Sequence, residues 1–384
     1  MTAGRPIDRN PDLDLGPLTE RVPAALRGTS AYEVPLPPRL VAKLDANELP
    51  YGLPPDLREG LARALADVAI ERYPDAGARR LREIVVRQLS ATPLPGAPGA
   101  TVAPIAGRQV VFGNGSDELI AMLCSAFSVR SDGRPGAVLI PSPSFVYYRM
   151  SAVARGVDAI EVPLTAAFEL DEPAMIRAIE DHRPGVVFIA LPNNPTGTLW
   201  RIEFAAELAA RFRDVVIVSD EAYHAYAGAT SLPVLAAHPN LVVMRTLSKL
   251  GMAGLRIGYT VSSPAIAGVL EKLRPPYNLS SLDQRAAEFL LEHAGAWCAA
   301  RAAEVVAERG RLAAALSSRG FEVFPSAANL LLIRTTPAID ARALWRKLGD
   351  AGVSVRLFDA GPLAGCLRIT VGTPADNAAL LAAL

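Results

Sequence analysis

An α/β fold, with a mostly parallel sheet covered by helices and a smaller α+β unit beside it, is what this 384-residue chain predicts. The first reason is a series of short apolar β-type runs: Val110 to Phe112, Ala137 to Ile140, Val186 to Ala190, Val215 to Val218 and Leu241 to Arg245. Helical stretches separate them, and runs this apolar belong to strands buried on both faces. The second reason is length, which exceeds what one hydrophobic core usually serves. The third is a change of pattern beyond Tyr277, where Ala- and Arg-rich helices from about Leu282 to Arg319 precede the strand-like runs Glu322 to Phe324, Leu330 to Arg334 and Leu367 to Val371.

In chain order, the first 50 residues or so are rich in proline and charge and read as an extended arm ending in Lys43-Leu-Asp-Ala-Asn47-Glu-Leu-Pro-Tyr51-Gly. An ordered arm must lie on something, and the second unit is the expected support. A helix is expected from about residue 54 up to the Arg72-Tyr-Pro-Asp75 turn, and another from Ala78 to Leu89. The Pro-, Gly- and Ala-rich stretch Ala91 to Gly107 reads as a surface loop. The expected division is therefore an arm with part of the small domain over 1–52, a large domain over 53–280 and a C-terminal small domain over 281–384. No internal repeat is visible.

Composition narrows the function. Formal charge is zero at neutral pH, which gives no footing for a nucleic-acid or anionic-membrane partner. The three cysteines, at 124, 298 and 366, and the four histidines, at 182, 224, 238 and 293, have no metal-type spacing, so neither structural zinc nor a disulfide framework is expected. No run approaches the roughly 18 to 20 apolar residues of a spanning helix, and the N-terminus lacks the apolar core of a signal peptide. A cytoplasmic protein is the expectation.

Ligand sites in parallel sheets lie beyond the carboxyl ends of the strands, and each apolar run here is followed at once by a polar cluster. The most informative is Thr246-Leu-Ser-Lys249-Leu-Gly-Met-Ala-Gly-Leu-Arg256-Ile-Gly258. A lysine amine forms a Schiff base with an aldehyde, while the Thr246 and Ser248 hydroxyls and the Arg256 guanidinium suit a phosphate. The plain alternative is a solvated lysine in a glycine-rich loop. In Asp220-Glu-Ala-Tyr223 an acid stands at a strand end with a phenol three residues on; facing a pyridine nitrogen, Asp220 would keep it protonated and make the ring an electron sink. Alone, such an acid is more often a helix cap or metal ligand.

The amide of Asn194, in Pro192-Asn-Asn-Pro-Thr-Gly197, is placed to donate to the same ring's phenolic oxygen, although an Asn-Pro turn is the ordinary meaning of that motif. Gly113-Asn-Gly-Ser-Asp117 leads into an apolar helix whose first amides, those of Ser116 and Asp117, are either an anion seat or a simple cap. Phe145, after the strand ending in Pro141-Ser-Pro-Ser, is a candidate to stack on a flat cofactor, with Tyr148 a weaker one; core packing is the common fate of both. Arg368, between apolar neighbours in Cys366-Leu-Arg-Ile-Thr-Val-Gly372, needs an anionic partner if buried, either a substrate carboxylate or phosphate or a neighbouring acid. Arg356 stands twelve residues earlier.

Taken together, these residues resemble the fold-type I, pyridoxal-phosphate-dependent aminotransferases of class I/II, in order and over most of the chain. Within that group the resemblance is nearest to histidinol-phosphate aminotransferases, carried by Leu44-Asp-Ala-Asn-Glu48, Arg72-Tyr-Pro-Asp75, Gly113-Asn-Gly-Ser-Asp-Glu-Leu-Ile120, Pro192-Asn-Asn-Pro-Thr-Gly197, Arg274-Pro-Pro-Tyr-Asn278 and Cys366-Leu-Arg-Ile-Thr-Val-Gly372. The resemblance implies a seven-stranded sheet in the large domain and pyridoxal 5'-phosphate bound covalently to Lys249, which also shuttles the proton. It implies Asp220 on the pyridine nitrogen, Tyr223 and Asn194 on the ring oxygen and Phe145 stacked on the ring. The phosphate would be held by the Ser116 and Asp117 amides, Thr246, Ser248 and Arg256. Tyr73 would reach the cofactor of a neighbouring subunit, making the active unit a homodimer. Arg368 and Arg356, with Asn47 and Tyr32 of the arm, would bind substrate.

The implied reaction moves the amino group of L-histidinol phosphate to 2-oxoglutarate, giving imidazole acetol phosphate and glutamate. An aromatic or other amino-acid aminotransferase and a threonine-phosphate decarboxylase are the alternatives on the same scaffold. A cofactor-sensing regulator is disfavoured because too few residues precede the arm for a helix-turn-helix domain. Two departures stand out: Lys249 and Arg256 are one residue closer than in many family members, and position 45 is Asp where the arm often has Asn.

Overall fold

The computed structural model describes residues 16–22, 39–91, 102–128, 136–336 and 339–384. The strands are β1 (Ala42–Lys43), β2 (Val110–Asn114), β3 (Ala137–Ser142), β4 (Asp158–Pro163), β5 (Val186–Ala190), β6 (Val216–Asp220), β7 (Leu241–Thr246), β8 (Ile257–Val261), β9 (Glu322–Val323), β10 (Leu330–Arg334), β11 (Val353–Ser354), β12 (Arg356–Phe358) and β13 (Cys366–Thr370). Seven of them form one sheet in the order β2-β8-β7-β6-β5-β3-β4. All neighbours run parallel except β8, which is antiparallel to both β2 and β7.

Every apolar run expected to be a strand is one, and the alternation along each explains how the sheet is covered. Phe112, Leu139, Val187, Ile189, Ile217 and Val243 point to one core, against the helices Arg79–Ala91, Glu172–His182 and Glu203–Arg211. Their neighbours Val111, Val138, Ile140, Phe188, Val218 and Met244 point to the other, against the helices Gly115–Phe127, Val146–Val153 and Pro264–Leu273. With both faces apolar, the period-two signal is hidden in the sequence and the strands read as continuous hydrophobic runs.

A second, antiparallel sheet has the order β12-β13-β10-β9. Its core gathers Leu330, Ile333, Leu367 and Ile369 with Leu312 and Leu316 of the long helix Gly295–Ser317 and with Ala42, Leu44 and Leu49 of the arm. The arm is tied down further where β1 pairs in parallel with β11. Tyr223 and Tyr226, which follow β6, also belong to this core, so the carboxyl end of the large sheet abuts the second sheet.

The helix Ser281–His293, expected to open the small domain, buries Ala287, Leu290 and Leu291 in the core of the large sheet. Its apolar face matches that core, and the change of packing partner comes in the following helix. Among the described residues no helix is long and apolar enough to cross a membrane.

Candidate active site

The carboxyl ends of β5, β6 and β7, the start of the helix Gly115–Phe127 and the arm converge on Lys249. This lysine follows β7 in a 3-10 turn, Ser248–Leu250, that closes through Gly251 at a φ of 87°. Its Nζ donates to the Ala46 carbonyl of the arm at 3.3 Å and lies 6.0 Å from the centre of the Tyr223 ring. Burial, and then the positive charge of Arg368, pull the amine down to about 8. An amine of that kind is partly neutral near physiological pH and is a nucleophile for a carbonyl.

Asp220 ends β6 and is buried. Its Oδ1 accepts from the Ala222 amide at 3.1 Å and its Oδ2 from the Tyr148 hydroxyl at 2.5 Å. Burial pushes the carboxyl up to about 6, opposed by those two hydrogen bonds. Three residues on, the Tyr223 hydroxyl accepts from Asn47 Nδ2 at 2.9 Å. Asn47 itself is fixed by Thr370, whose Oγ1 accepts from the Asn47 amide at 2.8 Å.

The phosphate-type seat is built by close backbone approach. Gly115 opens its helix at a φ of 72°, and a Cβ there would lie 2.7 Å from the Arg256 guanidinium. A Cβ on Gly258 would lie 2.7 Å from the Ser116 nitrogen. Only glycines allow β8 and Arg256 to lie this close to the helix N-terminus. The Gly115 amide is taken by the Arg256 carbonyl at 2.6 Å, while the first-turn amides of Ser116 and Asp117 have no partner within the helix. Arg256, at a φ of 48°, reaches across to the Asp117 carboxylate at 3.0 Å. The loop that is one residue shorter therefore still delivers its arginine to the helix. Thr246 Oγ1 donates to Ser248 Oγ at 3.0 Å, and both hydroxyls are buried beside this seat.

Arg368 of β13 donates to Asn194 Oδ1 at 2.7 Å and to the Asp45 carbonyl at 2.6 Å. This leaves the Asn194 amide group turned to other uses. Arg356 is directly opposite Arg368 in the antiparallel pair β12 and β13, so both side chains leave the same face of that sheet. Asp45, the departure in the arm, accepts from Ser354 and lies 3.3 Å from Lys43. Phe145 caps the helix Val146–Val153 and meets Tyr148 edge-on at 5.6 Å. Tyr73 is not part of this cluster: it is 80% exposed and stacks on Tyr277 with ring centres 4.5 Å apart. Tyr32 lies outside the described residues.

A half-buried lysine beyond β7, a buried acid at the end of β6 and a glycine-lined helix N-terminus thus lie at the carboxyl end of the large sheet. The family model for aminotransferases of class I and II matches residues 40–384. The chain belongs to that family. This aminotransferase is 44% identical over 373 residues to the histidinol-phosphate aminotransferase of Paracidovorax citrulli, across 95% of this chain and 96% of that protein. It is also 44% identical over 359 residues to histidinol-phosphate aminotransferase 1 of Burkholderia lata, across 92% and 94% of the two chains. Among solved structures, it matches the histidinol-phosphate aminotransferase of Sinorhizobium meliloti in complex with pyridoxal-5'-phosphate, with a TM-score of 0.78 and 25% identity over 90% of each chain.

The aminotransferase site also contains residues that the sequence reading missed or misplaced. Tyr148, a weaker candidate for ring stacking, is instead fully buried, stacked on Phe188 and bonded to Asp220. Tyr226 donates to the Lys249 carbonyl at 2.6 Å and so braces the lysine turn from below. Glu221 takes two bonds from Arg245, at 2.8 and 3.1 Å, and others from Thr230 and the Ser231 amide. That fully buried ion pair locks the turn after β6 to β7. An arginine inside an otherwise apolar strand run was the one signal of it in the sequence.

Proposed function

We propose that this chain transfers the amino group of L-histidinol phosphate to 2-oxoglutarate, a step of histidine biosynthesis, using pyridoxal 5'-phosphate attached to Lys249. The observation that carries the reading is 44% identity over 95% of the chain to a protein of that name, supported by a lysine, an acid and a helix N-terminus whose chemistry suits such a cofactor. The glycine-lined cradle at Gly115 and Gly258 and the buried acid Asp220 fit the group's phosphate and its ring nitrogen.

When bound, the cofactor supplies an electron-poor ring that takes up the electron pair left at a substrate carbon. The chain's own residues do the rest. Lys249 would hold the cofactor, and its Nζ, when free as a neutral amine, would accept the proton taken from the substrate carbon. Asp220 keeps a proton on the ring nitrogen, and Tyr223 with the Asn194 amide holds the ring oxygen. Phe145 covers the ring face. The Ser116 and Asp117 amides, Thr246, Ser248 and Arg256 hold the phosphate, with the Asp117 carboxylate orienting the guanidinium. Arg368 and Arg356 bind the anionic end of each substrate, phosphate or carboxylate in turn, and Asn47 and Tyr32 are the further substrate-binding residues of this reading.

The active unit in this reading is a cytoplasmic homodimer in which exposed Tyr73 reaches the neighbouring copy's phosphate. The large and small domains meet at the site, with their boundary within or just before the helix Gly295–Ser317. Single-turnover spectroscopy of the cofactor-loaded protein tests the substrate. Rapid loss of the aldehyde-form absorbance with histidinol phosphate and with glutamate, and slow loss with phenylalanine, is expected. Fast conversion by phenylalanine and none by histidinol phosphate would move the function to an aromatic amino-acid aminotransferase.

A further inference from the structure

Tyr148 lies outside every role assigned above, yet it is the largest fully buried side chain in the molecule's described core and ends on the acid of the site. The backbone explains how it gets there. Phe145 caps the helix Val146–Val153, and Tyr148 follows one turn on, so the two rings leave the same side of the helix and touch edge to face. The Tyr148 ring then lies flat on Phe188 of β5, with centres 4.6 Å apart and planes within 10°. Phe188 is paired with Val218 of β6, and Asp220 is two residues further along β6, hence on the same sheet face. The stack therefore delivers the phenol to Asp220 Oδ2 at 2.5 Å.

Resting on the cofactor reading above, we propose that Tyr148 is a positioning residue: its hydroxyl holds the Asp220 carboxylate turned toward the cofactor's ring nitrogen and negatively charged, while its ring edge sets Phe145 against the ring face. The surroundings make the hydroxyl consequential. Burial raises the carboxyl, and the charges of Asp117 and Glu221 act in the same direction. The bond from Tyr148 is the strongest effect opposing them, followed by the Ala222 amide. Tyr223 is a further ionisable group close to the phenol, and Lys249 faces the site from the β7 side. Without the hydroxyl, the proton shared between ring nitrogen and carboxylate would shift toward the carboxylate, because that is the buried charge left short of a donor.

The test is Tyr148→Phe in the full-length, cofactor-loaded protein, which keeps the ring and its stack. The ring nitrogen is observed directly by 15N NMR with 15N-labelled pyridoxal phosphate, and cofactor affinity by equilibrium dialysis. The expected result is a nitrogen resonance displaced toward the neutral-ring position and a dissociation constant raised about tenfold, the usual scale for a hydrogen bond to a charged group. A hydroxyl that merely satisfies a buried polar atom would cost stability and leave the nitrogen resonance where it is in the wild type; that result overturns the inference. Should Tyr148→Phe not fold, Phe188→Leu loosens the stack while keeping hydroxyl and carboxylate. A displacement in the same direction then supports the inference, and an unchanged resonance overturns it. Wild-type protein that takes up no pyridoxal phosphate would instead overturn the cofactor reading itself.

Discussion

Asn47 of the arm donates its side-chain amide to the Tyr223 hydroxyl across 2.9 Å, joining the residues after β6 to a segment 176 positions away. The bond aims the phenol at its place in the site, and it depends on Asn47 holding a φ of 54°, a left-handed conformation that asparagine tolerates better than most residues. Asn47→Ala loses the bond and adds backbone strain of about 1 kcal/mol. Asn47→Gly loses the same side-chain bonds, to Tyr223 and from Thr370, without that strain. Both variants are expected to lower kcat for amino transfer about tenfold, but the alanine variant should melt at the lower temperature. Equal kcat in both variants and the wild type would separate Asn47 from the chemistry.

Lys249 predicts a pH signature in the cofactor-free protein. Its amine falls to about 8 in the folded chain from an ordinary value of 10.5. Below pH 8 the lysine is charged in both folded and unfolded chains, and the full cost of burying that charge is present. Between pH 8 and 10.5 the folded state binds fewer protons than the unfolded one, so stability contributed by this group rises with pH. Lys249→Met should therefore be more stable than wild type at pH 7, by on the order of 2 kcal/mol, and should lack the rise between pH 8 and 10.5. Denaturant titrations of both proteins at pH 7, 9 and 10.5 measure it. The same variant should lose covalent cofactor attachment and turnover altogether, and a fully active Lys249→Met would end the assignment.

Much of the fold is legible in the sequence because burial on two faces leaves a plain mark. β5 is an unbroken apolar run and β7 is apolar as far as Met244, and the segments that follow them, from Pro192 and from Thr246 onward, are where a parallel sheet keeps its chemistry. β4 left no such mark: it is the edge of the sheet, and Asp158 and Glu161 face solvent. β8 was hidden by the glycine-rich turn before it and by Gly258 within it, which the close approach to Ser116 requires. In the site, Asp220 stands out as the acid that ends an apolar strand and Lys249 as the amine three residues beyond one. The bonds that aim them come from Tyr226 and from Tyr148, the latter 72 residues away from its partner. Only the register of β5 against β6 brings that tyrosine to Asp220. The placement of Arg356 likewise follows from its pairing opposite Arg368, since the spacing of twelve residues is compatible with either face of a sheet.

The ion pair of Arg256 and Asp117 separates charge from backbone at the phosphate seat. The pair is half-exposed, so its own contribution to stability is small, and the helix amides that face a phosphate do not depend on the Asp117 side chain. Arg256→Gln should weaken pyridoxal phosphate binding by about tenfold or more. Asp117→Asn, which keeps the amide and removes a negative charge beside the phosphate, should leave affinity within about threefold of wild type. Equilibrium dialysis against pyridoxal phosphate distinguishes the two. Equal losses would mean that the carboxylate, through its hold on the arginine, is as necessary as the arginine itself.

Tyr73 gives a test of the proposed homodimer that needs no structure of the pair. The residue is 80% exposed and leans on Tyr277, itself exposed at a φ of 59°. Two aromatic rings stacked at the surface are apolar area that a second copy would cover. If Tyr73 serves the neighbouring copy's phosphate, then Tyr73→Ala and Lys249→Ala damage different subunits' contributions to one site. Each variant alone should be impaired, Lys249→Ala completely. Co-expressed, they form mixed dimers in which one site combines the intact Lys249 of one copy with the intact Tyr73 of the other. That site is native, so activity should recover to about half the wild-type value per mixed dimer. Recovery no greater than the residual activity of Tyr73→Ala would place Tyr73 in its own subunit's structure and leave each site complete within a single chain.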